Sequence, residues 1–380
     1  MWQSQMNKRK FEPCVSLMID SGAYSAWSHN SSIDLKAYIK FLKSNKGKFF
    51  SHVALDVLAQ GFEKERTPES IEACAVQSCK NFHIMRDAGL DSIPVFHQGD
   101  DFKWLHQYLT QGVPFIGISC RKDLWAKEQQ TWMDEVFSIL TTKDGRPIVK
   151  THGFGITKVR FMLRYPWTTV DSTSWALMAA FGQIFIPQPN PDGTPNYATE
   201  PMSIAVSGRY SKTLNKRQLE GWENQGMSLT VKYIYNYIEN VLGITATEIR
   251  ESPDHRRRAC LMYYSELAKH IKDIRFPAKS SNLLSFGTLN NPRAIKNDPF
   301  RIMFATGVRQ HGWSHIMNDL GIDTRLLSYY ELRDLRQDEL TEYLNTGTLR
   351  DHKERKAPRN IRSQAYKSWR AIKTDERLSE

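Results

Sequence analysis

Three short apolar runs in this chain each end in an acid. Val15-Ser16-Leu17-Met18-Ile19 runs into Asp20, His52-Val53-Ala54-Leu55 into Asp56, and Thr168-Thr169-Val170 into Asp171. Two carboxylates brought to one reacting carbon can divide the labour: one attacks, and the other moves a proton. Other side chains at similar exits suit a flat heterocycle. Tyr24 follows Asp20 closely, and Gln98 follows the run Ile93-Pro94-Val95-Phe96-His97. An aromatic face and polar groups for the edge are what a purine needs. Any one of these acids alone is more simply a helix cap or a loop anchor. Taken together with Gln98 and Tyr24, they favour a catalytic site. His97 and His152 read as supporting or packing residues. Trp27, Trp167 and Trp175 read as lining or buttressing the mouth of a pocket.

The elements that must position these residues alternate. Apolar runs at 15–20, 52–56, 93–96, 115–120, 148–155 and 168–171 read as buried strands. Between them lie helical patterns. Leu35, Tyr38, Ile39 and Leu42 have helical spacing, with Ser32 as the expected cap. Thr67-Pro68-Glu69 is a strong helix start. Six strand–helix units imply a parallel sheet with right-handed crossovers. The expected fold is α/β, a TIM-like (β/α) barrel, irregular or incomplete, over residues 1–180. No Gly-x-Gly-x-x-Gly turn follows the first strand, which weighs against a dinucleotide fold.

The pattern changes after residue 180. Runs at 182–187 and 202–206 around Pro191-Asp192-Gly193 predict a hairpin-like insertion. Helices are expected over 229–242 and 253–272, so that 181–275 packs on the barrel. Residues 276–380 are expected to hold a linker, a strand at Arg301–Ala305 with a helix over 314–320, and a helical basic extension.

Lys plus Arg exceed Asp plus Glu by 52 to 41, a formal charge of +11, which favours a polyanionic partner. Arg256, Arg257 and Arg258 form one basic cluster. Lys353, Arg355, Lys356, Arg359 and Arg362 belong to another, interleaved with Tyr366 and Trp369. Cations can track phosphates while aromatics stack on bases; a solvated helix face is the plainer reading. Five scattered cysteines suit reduced thiols in a cytoplasm. Cys74 and Cys79 point about 140° apart on a helix, so no metal site is expected with His83. No apolar run reaches the roughly 18 residues of a membrane span, and no signal peptide is evident.

The order Asp20-Ser21-Gly22-Ala23-Tyr24, Leu55-Asp56, Val95-Phe96-His97-Gln98-Gly99, Ile116-Gly117-Ile118, His152-Gly153-Phe154-Gly155, Val170-Asp171 resembles the tRNA-guanine transglycosylase superfamily over roughly residues 14–190. The resemblance implies that Asp171 is the nucleophile and Asp20 the general acid/base. It implies that Tyr24 stacks on the base, that Asp56 and Gln98 bond its edge, that the Gly117 backbone lies against it, and that Ser21 offers a hydroxyl.

The departures narrow the match. The superfamily's cysteine cluster after the barrel is absent, so neither a structural zinc nor any other cofactor is expected. Ser172-Thr173-Ser174-Trp175 stands where tRNA-acting members carry basic residues. The superfamily's first barrel strands are missing here or supplied from elsewhere, with Arg301–Ala305 as one candidate substitute. A short, basic, zinc-less member is similar to the deazapurine DNA-modification transglycosylases (the DpdA family) of phages and bacterial islands. That similarity implies exchange of guanine in DNA for a free 7-deazaguanine such as 7-cyano-7-deazaguanine, in the cytoplasm, or the host cytoplasm for a phage protein. The alternatives are the same exchange in tRNA, or a non-catalytic barrel that binds nucleic acid or serves as an accessory subunit.

Overall fold

The computed structural model describes residues 16–59, 66–207, 233–276, 293–306 and 311–346. It opens with β1 (Ser16–Asp20), α1 (Ala23–Ser28), α2 (Leu35–Ser44), β2 (Ser51–His52) and α3 (Pro68–Asp87). There follow β3 (Val95–His97), α4 (Phe102–Thr110), β4 (Phe115–Ser119), α5 (Ala126–Leu140), β5 (Lys150–Phe154), α6 (Val159–Arg164), β6 (Thr169–Ser172) and α7 (Ser174–Ala180). Local chemistry sets the helix starts. Thr67 caps α3 ahead of Pro68, and Asp101 caps α4. Asp34, not the expected Ser32, caps α2 by accepting from the Ala37 N–H at 2.8 Å, because it stands directly before the first helical residue.

The middle of the chain adds β7 (Gln183–Ile186), β8 (Gln188–Pro189), β9 (Pro195–Asn196) and β10 (Met202–Ala205). β7 pairs antiparallel with β10, and β8 with β9, as the predicted hairpin requires. The helix expected over 229–242 ends, in its described part, as a π-helical turn at Tyr237–Val241. Then come α8 (Ala246–Glu251) and α9 (Pro253–His270), which packs against α7, β7 and α8. The last described elements are β11 (Arg301–Ala305), α10 (His311–Asp319), β12 (Thr324–Ser328), α11 (Tyr329–Leu332) and α12 (Gln337–Thr346). Among the described residues no helix is long and apolar enough to cross a membrane.

Eight strands form one parallel sheet in the order β2-β1-β12-β11-β6-β5-β4-β3. β11 is the expected strand, and β12 is one that the periodicity did not reveal. Together they bridge β6 to β1. The sheet curls until its edges touch at a parallel Val53–Ile93 bridge: the Ile93 N–H donates to His52 O at 2.9 Å, and the Ala54 N–H to Ile93 O at 2.8 Å. A curled parallel sheet of this kind is compatible with an incomplete TIM-like barrel.

Period-two alternation splits the core. Leu17, Ile19, Phe96, Ile116, Ile118, Val170, Phe304 and Leu327 face the helices. Met18, Val53, Ile93, Val95, Met303 and Leu326 fill the concave side, with Phe115, Phe154 and Ala305 against them. Because all eight strands run the same way, their C-terminal ends share one rim. Asp20 and Ser328 are register partners there, as are Asp171 and Met303.

Candidate active site

The rim encloses a cavity of about 1310 Å³, whose walls include Asp20, Tyr24, Trp27, Asp56, His97, Gln98, Phe154, Asp171 and Trp313. Small-molecule sites usually occupy about 300–1,000 Å³, so there is room for a base with its sugar and phosphate. β1 delivers Asp20 to this cavity and β6 delivers Asp171, although β11 and β12 lie between those strands.

The two carboxylates are held differently. Asp20 Oδ2 accepts from the Gly22 N–H at 3.2 Å, a contact made by the left-handed turn at Gly22 (φ +82°). Burial, then the charges of Asp56 and Asp171, push its carboxyl up to about 7, against the pull of the Gly22 and Ser21 N–H groups. Near neutrality Asp20 therefore exchanges a proton readily. Asp171 is buried, and its Oδ1 accepts from the Gly155 N–H at 2.6 Å. Behind it, His152 is fully buried, with Nδ1 2.8 Å from Thr169 Oγ1 and Nε2 3.6 Å from Asp171 Oδ1. The glycine-rich exit of β5 thus fixes the direction of Asp171.

Asp56 sits in a clamp. Ser21 Oγ donates to its Oδ1 at 3.0 Å, and His97 Nε2 lies 3.0 Å from its Oδ2. On the other side, Asp100 Oδ2 accepts from the His97 backbone N–H at 2.9 Å and stands 3.6 Å from its Nδ1. Burial opposes a charge on His97. The hydrogen bonds and charges of Asp100 and Asp56 outweigh it and hold the imidazole up to about 10, as a cation between two acids.

Other predicted residues fall in several places. Gln98 lines the cavity, with Oε1 accepting from the Arg121 N–H at 3.1 Å, which leaves its amide NH₂ as the end turned to a ligand. Tyr24 is 56% exposed at the mouth, tilted against Trp27 at 5.7 Å between ring centroids. Ser21 is wholly buried and is not among the lining residues; its hydroxyl serves Asp56. Gly117 lies below the cavity wall. A Cβ there would stand 2.6 Å from Phe154 Cε2, so the glycine makes room for the ring that forms the floor. Trp27 lines the mouth, whereas Trp167 and Trp175 are buried beneath it.

The basic cluster on α9 needs correction. Arg256 is 5% exposed and donates to Ala179 O at 3.0 Å, Ile249 O at 3.0 Å and Arg250 O at 2.9 Å. Its guanidinium ties the end of α7 and the last turn of α8 to α9 and is not presented to a phosphate. The run of three arginines on a helix concealed this, because successive residues point in different directions. Arg257 pairs with Asp254 and lies 5.7 Å over the Trp313 ring, and Arg258 is half-buried. Arg256→Ala is expected to cost about 2–5 kcal/mol of stability by orphaning buried carbonyls. It should leave affinity for nucleic acid unchanged, read by chemical denaturation beside a binding titration. Lys353, Arg355, Lys356, Arg359 and Arg362 lie outside the described residues.

Comparison of the chain with family models, curated proteins and solved structures returned no match. The functional reading therefore rests on the site itself. Among the described residues no group of three or more His, Cys, Asp or Glu side chains is placed to hold a metal ion.

Sequence reasoning missed Lys122, Lys158, Phe154, Trp313 and Ser328, which also line the cavity. Phe154 lies within the glycine-rich exit already singled out and Lys158 shortly follows it, and that exit was the available signal. Trp313 and Ser328 join the wall only through β11 and β12.

Proposed function

We propose that the chain is a base-exchanging transglycosylase on a (β/α) barrel, replacing guanine in DNA with a 7-deazaguanine such as 7-cyano-7-deazaguanine. The observation that carries this reading is the pairing of unlike carboxylates in one cavity. Asp171 is directed by the Gly155 N–H, and Asp20 has its proton affinity raised to about 7.

In the first half, a carboxylate oxygen of Asp171 attacks C1′. The C1′–N9 bond breaks, and the proton on Asp20 goes to the departing guanine. In the second half, the incoming base gives its N9 proton to ionised Asp20. Its N9 displaces Asp171 from C1′, so configuration is retained overall. The clamped Asp56 accepts from the N–H groups on the base edge, the Gln98 amide donates to its carbonyl, and Tyr24 covers its face. A base stacked in a duplex must be turned out to reach such a rim. The net charge of +11 supports a polyanionic substrate.

The test is incubation with radiolabelled 7-cyano-7-deazaguanine, with DNA and tRNA offered in parallel, followed by nucleoside digestion. Label in deoxynucleosides is expected. Label in tRNA alone replaces DNA as the substrate, and label in neither polymer sinks base exchange.

A further inference from the structure

The cavity carries cations that the exchange chemistry does not use. Lys122 follows β4 and Lys158 follows β5, and both line the cavity with Asp20 and Asp171. Lys122 Nζ lies 5.1 Å from the centroid of the Tyr24 ring. Its Cε and Nζ approach to 3.0 and 3.3 Å of the point where Gly155 would carry a Cβ. The Gly155 N–H holds the Asp171 carboxylate, so the ammonium stands one residue from the attacking group. Lys158 crosses the Phe161 ring at 5.6 Å.

Neither lysine has a carboxylate within ion-pair distance among the described residues, although Asp20, Asp56, Asp100, Asp123, Asp171 and Glu331 all line the same cavity. Their neighbour Arg121 is already neutralised by Asp123 at 2.6 Å. Burial, then the charge of Arg160, lowers the proton affinity of Lys158, against the pull of Glu200. Meanwhile the segment after Asp171, Ser172-Thr173-Ser174-Trp175, brings no cation. The 3′ and 5′ phosphates flank the sugar whose C1′ Asp171 would attack, and Lys122 stands beside both Tyr24 and the Gly155 N–H that holds that carboxylate.

We infer that Lys122 and Lys158 form a phosphodiester subsite that grips the backbone of the target nucleotide beside Asp171. This rests on the base-exchange reading for its substrate. Two point charges at the mouth hold the flanking phosphates and confine the strand where its C1′ meets the carboxylate.

The experiment measures binding of a guanine-containing DNA oligonucleotide by fluorescence anisotropy from 50 to 200 mM salt, for the native chain, Lys122→Ala/Lys158→Ala and Lys122→Arg/Lys158→Arg. Binding of free guanine by calorimetry, melting, and covalent adduct formation are followed in parallel. In the alanine variant, affinity for DNA should fall about tenfold or more at low salt. Its log–log salt slope should become shallower by about 1.5, since each phosphate contact contributes roughly 0.7–0.9. Free guanine should bind as before, and the arginine variant should keep the native slope. A native slope and affinity in the alanine variant overturns the subsite, as does an equal loss of guanine binding or a native chain with no salt-dependent binding. A native chain that binds DNA through the two lysines yet forms no adduct sinks the exchange reading and leaves the subsite standing.

Discussion

Asp171→Asn is expected to fold normally, to form no covalent adduct with guanine-containing DNA, and to lower base exchange by on the order of 10⁴ or more. The fold survives because the new amide oxygen can still accept from the Gly155 N–H, which lies 2.6 Å from Oδ1 in the native chain. Chemistry is lost because an amide oxygen attacks C1′ poorly and forms no stable ester. Intact-mass measurement of the denatured reaction mixture reads the adduct, and a melting curve reads the fold. An adduct of native yield in the variant would assign the nucleophile to another carboxylate lining the cavity, where Asp20, Asp56, Asp100, Asp123 and Glu331 also stand.

Asp20→Asn should separate stability from activity. The ordinary value for this carboxyl is 3.8, and burial with the charges of Asp56 and Asp171 lifts it to about 7. Between those pH values the folded chain holds a proton that the unfolded chain has released. Stability therefore falls as pH rises through this window, by up to about 1.4 kcal/mol per unit. Asp20 keeps partial contact with solvent, so the realised loss is on the order of 2 kcal/mol. Asparagine never ionises. The variant should therefore match the native chain at pH 4 and exceed its stability at pH 8, while exchange drops roughly 10²–10⁴-fold. Denaturant titrations at the two pH values decide it. Equal pH dependence in both proteins would mean that Asp20 ionises as an ordinary surface acid, which removes its role as proton donor. If the chain exchanges bases as proposed, release of guanine by the native chain should weaken about tenfold per unit above pH 7, as the required proton leaves Asp20.

The first half of the fold was legible because hydrophobic period and turn chemistry agreed there. Strands ending at Asp20, His97, Ser119 and Phe154 alternate with helices whose starts carry Thr67-Pro68 and Asp101. β12 was not legible. Its sequence Thr-Arg-Leu-Leu-Ser is brief, and Arg325 reads as a surface residue. In the structure Arg325 is 1% exposed, bonded to Asn318 and to Ile322 O on the helix side of the sheet. Only tertiary contacts make such a charge tolerable. The acids were legible as strand-end residues, but the His97 clamp was not, because its partners Asp56 and Asp100 come from opposite sides of it in the chain. Arg256 failed for the converse reason. Its charge looked like surface chemistry, and its three carbonyl partners belong to segments that only packing brings together.

The place of β11 and β12 also sets a timetable for synthesis. Asp20 and Asp171 leave the ribosome before the strands that span the gap between β6 and β1, which are encoded by residues 301–328. Until those residues emerge, β1 lacks its β12 neighbour and β6 lacks β11, and no continuous wall joins the two carboxylates. A nascent chain stalled before residue 300 carries the acids without the site. The wall that joins the two carboxylates therefore closes only after residue 328 has emerged, and until then β1 and β6 each present an unpaired edge.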